Sequence, residues 1–291
     1  MSCSIYAKKR KQHYVWKYYL KSWALNGKIY CLRNNKLFET NLEKIAHIRD
    51  FYRIEKLTDS DIEVIKQFYF KHMNPEYIKL NISWISIFNK IFEMKEIFEN
   101  NGIKRGNVDK EFDILINNAL EEFHSMIESD SISLLQSLQK GDVSFIEEDD
   151  LYSKFMFFLS LQYFRTRKRL EAMYSTNAAS IYPQLKKTWH IVSIILATSM
   201  AFTFFLHKEK FYVYLLKNAN NCFITGDQPI INTFANYNTT KLLNDDEFEF
   251  YYPINPKFAL IISMQKKYDQ KGKINLSDNE IMKYNKTQIN G

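Results

Sequence analysis

The stretch Tyr152–Tyr174, YSKFMFFLSLQYFRTRKRLEAMY, constrains the fold of this chain more than any other. Its first half is apolar on every side, with Phe155, Met156, Phe157, Phe158, Leu159, Leu161, Tyr163 and Phe164. A helix that is apolar all round has no solvent face and must run through a core. The second half turns basic at Arg165, Arg167, Lys168 and Arg169. Read as one continuous helix, the stretch sets Gln162, Arg165, Thr166 and Arg169 on a single face. Guanidinium groups bind phosphate and carboxylate bidentately, so such a face is a candidate floor for an anion site. The competing expectation is that these arginines pair with acids such as Glu171, Asp227 or the run Glu147–Asp150.

A second stretch, Trp189–Leu206, contains no Asp, Glu, Lys or Arg and is long enough to cross a bilayer. It also carries His190, Ser193, Thr198, Ser199 and Thr203, and the chain offers another buried helix for it to pack on. It is expected to be a second core helix, with no membrane association. Only 7 glycines are present, and no G-x-x-x-x-G-K-[ST] or G-x-G-x-x-G occurs, which removes the main support for P-loop and Rossmann folds. Cys3, Cys31 and Cys222 are odd in number and far apart, so neither a disulfide framework nor a zinc site is expected, and a reducing cytoplasm is the default. The N-terminal charges are not followed by an apolar run, which argues against a signal peptide.

Along the chain the pattern runs strands, then helices, then strands. Gly27–Arg33 and Lys36–Thr40 alternate around Asn34-Asn35, a hairpin turn, and Arg49–Arg53 reads as a third strand. Helical periodicity begins at Asp59 or Ser60 as N-cap, continues from Pro75 to the stop Asn100-Asn101-Gly102, and resumes from about Asp109 to Glu128, with Asn107 or Asp109 as cap. A short helix spans Ser131–Leu138 and ends at Gly141, and Glu147–Asp150 places negative charge where the next helix begins. Phe211–Leu216, Cys222–Thr225, Glu247–Ile254 and Phe258–Ser263 read as strands, and Ser277 begins a last helix. With no βαβ alternation, the expected class is α+β: an N-terminal hairpin and C-terminal antiparallel strands packed on a central helical bundle. The expected organisation is one domain with a hairpin region (1–56), a helical region (57–210) and a C-terminal β region (211–291).

Net charge is +7, and the first 21 residues hold six cations and no acid, with aromatics interleaved from His13 to Leu20. Bases beside aromatic faces suit single-stranded nucleic acid, and a short amphipathic helix covering a core shows the same pattern. Four polar sets stand out. His13, with Tyr14, Tyr18 and Lys21, offers an acid or base. The face Gln162, Arg165, Thr166 and Arg169 offers an anion clamp. Gly226-Asp227-Gln228-Pro229 follows a strand and puts a carboxylate in a turn, a position used by catalytic acids and metal ligands and equally by an ordinary Asx turn. Arg49, Asp50 and Tyr52 form the fourth set, with Asp50 and Tyr52 on one strand face.

The motifs H-Y-V-x-x-x-Y-L-x-x-W-A (His13–Ala24), G-K-I-Y (Gly27–Tyr30), D-F-Y (Asp50–Tyr52), Q-x-x-R-T (Gln162–Thr166) and F-I-T-x-D-x-P (Phe223–Pro229) resemble, in this order, the domain-of-unknown-function 4238 family. The resemblance covers Gln12 to about Ile289. It implies a bacterial cytoplasmic protein without an assigned activity, with relatives among phage-defence genes. Two positions depart from the family pattern: Trp16 stands where Pro is usual, and Gly226 where Ser precedes the motif Asp. The family's last helix is longer than the one that fits before Gly291, so a shortened final helix is expected.

The family motifs fall on the same polar groups. The leading expectation is therefore a nucleic-acid-directed hydrolase, a nuclease acting as a defence or toxin effector. His13 would be the base or acid, Arg165 and Arg169 the phosphate clamp, and Asp227 a ligand for Mg²⁺ or Mn²⁺ or the group that orients His13. Tyr14, Tyr18, Lys21, Arg49, Tyr52, Gln162, Thr166 and Gln228 complete the candidate binding surface. The alternative is a non-catalytic sensor that binds a nucleotide, a protein partner or a second copy of itself with the same groups. Either way, His13 and Asp227 should lie within side-chain reach of Arg165.

Overall fold

Two apolar helices form the axis of the molecule, and the rest of the chain is arranged on them. A computed structural model describes residues 7–102, 108–218, 220–235, 247–269 and 272–290. The N-terminal part comprises β1 (Lys11–His13), α1 (Lys17–Leu20), β2 (Lys28–Arg33), β3 (Lys36–Asn41) and β4 (His47–Arg49). The helical part comprises α2 (Asp59–Ile65), α3 (Pro75–Asn100), α4 (Val108–Asp130), α5 (Ile132–Lys140), α6 (Asp149–Phe164), α7 (Arg167–Tyr174), α8 (Asn177–Ile181) and α9 (Gln184–Leu206). The C-terminal part holds β5 (Tyr212–Lys217), β6 (Ile231–Asn232), β7 (Glu249–Asn255), β8 (Phe258–Ser263), β9 (Gly272–Asn275) and α10 (Asp278–Asn290). The class is α+β, as expected.

The axis is the pair α6 and α9. In α6, Phe155, Met156, Phe158 and Leu159 are fully buried, and in α9 so are Val192, Ile194, Ile195 and Ala197. Each of these side chains larger than alanine contributes about 1.5–3 kcal/mol by leaving water. Among the described helices α9 is the one long and apolar enough to cross a membrane. Here it is a core helix, and its polar residues find partners on α3. Asn81 donates to Ser199 Oγ (2.7 Å), Trp84 Nε1 to Thr198 Oγ1 (3.1 Å), and Tyr77 shares a hydrogen bond with Thr203 (3.0 Å).

Local signals set most boundaries. Asn34 and Asn35 adopt φ of 50° and 59°, the left-handed turn that closes β2 onto β3. Asn74 caps α3, whose first residue is Pro75. Gly141 ends α5 at φ +83°, where a Cβ would also meet the Phe258 ring at 2.9 Å. Thr58, not Asp59 or Ser60, caps α2, through a capping box with Asp61. The expected Asn107 cap of α4 lies outside the described residues.

Three elements differ from expectation. Arg49–Arg53 is not a strand: β4 stops at Arg49, pairs with β1, and Asp50 turns at φ +55°. Cys222–Thr225 is irregular, held by side chains such as Asn285, which accepts from Ile224 N (3.1 Å). The C-terminal sheet runs β6-β7-β8-β5-β9, antiparallel except for the parallel pair β5/β9. The hairpin β2–β3 is a separate two-stranded sheet. The N-terminal part reaches the C-terminal part instead through Tyr19, whose hydroxyl donates to Pro253 O (2.8 Å), and Trp23, whose Nε1 donates to Phe223 O (2.9 Å). One hydrophobic cluster draws on all three parts, from Tyr14 through Phe155 to Ile262. A second, on the other face of the sheet, joins Tyr214, Tyr251 and Ile261 to Ile281 of α10.

Candidate functional site

The stretch Tyr152–Tyr174 is not one helix. Helix α6 stops at Phe164, Arg165 closes it, Thr166 is extended (ψ 156°), and α7 starts afresh at Arg167. Gln162, Arg165, Thr166 and Arg169 therefore do not share one helix face. They are dealt to three different places.

Arg165 and Gln162 point into the interior. Arg165 is 3% exposed and makes an ion pair with Glu128 of α4, which also bonds to Gln162. Burial lifts the Glu128 carboxyl, and Arg165 and Gln162 pull it back. Burial would pull the Arg165 guanidinium down, but Glu128, Tyr52 and Glu121 hold it above its ordinary value. Around the pair stand Tyr52, fully buried, with its ring 4.8 Å from that of His124, and Tyr52 in turn packs 5.8 Å from His190. Burial lowers His190 to about 4 and His124 well below its usual range, so both are neutral at pH 7. Glu121, one turn before His124, is raised to about 7 by burial, against the pull of Arg165. His124 Nδ1 and Arg165 Nε have no hydrogen-bond partner among the described residues.

His13 ends β1 beside this cluster, within electrostatic reach of Arg165. Its ring meets that of His47 edge-on at 5.4 Å. Burial first, and then His47, lower it to about 4, so at pH 7 it is a neutral, weak base. Its carbonyl accepts from the Tyr52 hydroxyl (3.4 Å), and the Tyr52 N–H donates to Gln12 Oε1 (2.6 Å). Asp50, expected beside Tyr52 on a strand face, instead faces Arg10 (2.6 Å), and Arg49 is exposed 3.7 Å from it.

Thr166 and Gln228 form a structural joint. The Thr166 hydroxyl donates to Gln228 Oε1 and accepts from Arg169 N (3.4 Å), capping α7. Gln228 Nε2 donates to Tyr163 O (3.0 Å) and Ile230 O (2.7 Å), so this buried amide is committed at both ends. Arg169 lies over the Tyr163 ring at 3.9 Å. Tyr18 accepts from Gln136 (3.0 Å) and carries Lys21 over its ring at 5.8 Å.

Asp227 is exposed and lines a groove of about 600 Å³ that Arg165 does not line. The groove lies between β2, the start of α7, the loop Ile224–Gln228 and the end of α10. Its charged side chains are Arg33, Arg167, Lys168, Glu171 and Asp227. Arg167 pairs with Glu171 (2.6 Å), and Lys168, lowered by partial burial and Arg169, is pulled back by Asp227. Tyr14 links the two regions. It is buried and raised to about 12, first by desolvation and then by Asp227. His13 thus lies within electrostatic reach of Arg165, and Asp227 lines the groove. Among the described residues no group of three His, Cys, Asp or Glu is arranged to hold a metal ion.

Glu121, His124, Glu128, Arg33 and Arg167 were not among the expected site residues. The signal for the first set lay in α4. Its buried positions Phe112, Ile116 and Leu120 continue by fours to His124 and Glu128, so two ionisable groups stand on an apolar stripe. No curated protein and no solved structure matches the chain. A family model described as Protein of unknown function (DUF4238) matches residues 11–291, nearly the whole chain. The protein belongs to the DUF4238 family.

Proposed function

We propose that this protein binds a phosphate-bearing ligand, a nucleotide or a nucleic-acid strand, in the groove beside Asp227, as a sensor or interaction module. One observation carries this. Arg33 of the hairpin and Arg167 and Lys168 of α7, from elements far apart in sequence, converge on one groove in a chain of net charge +7. Arg165 is poorly suited to clamp phosphate, because its charge is already matched by Glu128 in the interior. A second reading, phosphodiester hydrolysis in the same groove as a defence or toxin effector, is favoured by the Asp227 carboxylate among those cations. Mg²⁺ or Mn²⁺ would then be held by Asp227 together with phosphate oxygens of the substrate. A cytoplasmic location belongs to the same proposal and is supported by the free thiols of Cys31 and Cys222.

The test is titration of the purified protein with single-stranded RNA, single- and double-stranded DNA and nucleoside triphosphates at two salt concentrations. Binding should weaken with salt, and Arg33→Ala with Lys168→Ala should cost on the order of tenfold or more in Kd. Equal affinity of wild type and double variant for every ligand would sink the groove. Turnover with Mg²⁺ or Mn²⁺ that Asp227→Ala abolishes would select the hydrolase over the sensor.

A further inference from the structure

The segment Ala7–His13, AKKRKQH, is docked almost entirely by polar contacts. Lys8 pairs with Asp113 (2.7 Å) and Lys9 with Glu122 (2.8 Å). The Lys9 N–H donates to Asn118 Oδ1 (2.9 Å), while Asn117 donates to Lys9 O (2.9 Å) and Asn118 to Ala7 O (3.0 Å). Gln12, fully buried, donates to Asn117 O (2.8 Å) and accepts from Tyr52 N. All these α4 partners lie within three turns, and the next residues on that face are Glu121, His124 and Glu128. Apart from Ala7 the segment has no apolar side chain, so hydrophobic burial does little to hold it. Its attachment depends on charge and hydrogen bonding, to α4 beneath it and, through β1 and Arg10, to β4 and Asp50 beside it.

We propose that Ala7–His13 is a releasable strap over the Arg165 cluster, and that Glu121, the carboxylate beneath it, sets how tightly the strap docks. Two carboxylates of α4, Glu121 and Glu128, stand against the single guanidinium of Arg165, and the ion pair with it belongs to Glu128. Glu121 is left among Arg165, Glu128, Glu122, Tyr52 and, on the strap, Lys9. Release of the strap would hydrate Glu121 and open the His13 side of the cluster.

The direction follows from linkage. The docked carboxyl is raised by burial from its ordinary 4.5 to about 7, so the docked state holds its proton more tightly than the released one. The contribution of Glu121 to docking is therefore full below about pH 4.5, declines as the pH rises to about 7, and stays at its reduced value above that. His13, lowered to about 4, works in the opposite sense below its ordinary 6.5. A comparison with Glu121→Gln cancels that second effect.

The experiment is amide hydrogen exchange, corrected for intrinsic rates, at pH 5.5 and 7.5. It follows Tyr52 N–H, which donates to Gln12, and Asp50 N–H, which donates to Arg10 O. The ratio of wild-type to Glu121→Gln protection should fall on the order of tenfold between the two pH values. A ratio that does not change with pH overturns the role of Glu121. Lys8→Gln, which breaks the pair with Asp113 and leaves Glu121 and the charges around it in place, should lower protection of both amides at both pH values. Unchanged protection in that variant overturns the strap itself.

Discussion

Arg165 and Arg167 are two residues apart and have opposite fates. Arg165 is 3% exposed, with its charge matched by Glu128 across the interior, whereas the Arg167 side chain is 52% exposed and pairs with Glu171 one turn along its own helix. The extended Thr166 between them turns the chain so that one guanidinium enters the core and the next faces the groove. Read as one continuous helix, the sequence sets Arg165 on the candidate anion face and leaves Arg167 off it. The structure teaches that a basic run at the end of an apolar helix can serve two purposes, an interior charge pair and a surface for anions. The two respond differently to substitution, because a buried ion is costly when left alone and an exposed ion is not.

The largest effect is expected at the interior pair. Arg165→Ala or Glu128→Ala should destabilise by about 3–5 kcal/mol, since each leaves an uncompensated charge in the core. Replacing both, as Arg165→Met with Glu128→Leu, should recover most of that loss, because a buried pair exchanged for apolar groups of similar volume is often neutral. Urea denaturation of the two single variants and the double variant measures this. A double variant as unstable as the sum of the singles would mean that the pair holds more than itself, and His124 and Glu121 would be the first groups to examine.

The joint between the two arginines is the next largest effect, and it is where the sequence was least legible. The apolar stretch Phe155–Phe164, the core role of Trp189–Leu206, the Asn34-Asn35 hairpin and the start of α3 at Pro75 could all be read from local pattern, because periodicity and turn chemistry act within a few residues. The break at Thr166 could not. The Thr166 hydroxyl finds Gln228 across 62 residues, and that tertiary bond, with the cap it gives α7, overrides a stretch whose helical pattern is unbroken. The same limit hid which residues line the groove around Asp227. The F-I-T-x-D-x-P motif singled out Asp227 as a carboxylate held in a turn, but only the fold shows that Arg33, Arg167 and Lys168 share its groove. Thr166→Val should cost about 2 kcal/mol, from the lost cap together with an unpaired Gln228 carbonyl in the core. A melt unchanged from wild type would show that the break is set by packing alone.

The smallest effect lies at Arg167, and its sign is the informative part. Removing the exposed pair should change stability by less than about 1 kcal/mol, because solvent screens both partners. Ligand binding should respond in opposite directions at the two ends of that pair. Arg167→Ala removes a cation from the groove and should weaken a phosphate ligand by about threefold at low salt, a modest loss because Glu171 already occupies part of that charge. Glu171→Gln frees the guanidinium and removes a repelling carboxylate, so the same ligand should bind more tightly by a similar factor. Titration of both variants beside wild type, with thermal melts as control, reads the two signs directly. Opposite signs at nearly constant stability would place the phosphate against Arg167. If both variants weaken binding alike, the ion pair is a strut that shapes the groove, and Arg33 and Lys168 are left to meet the anion.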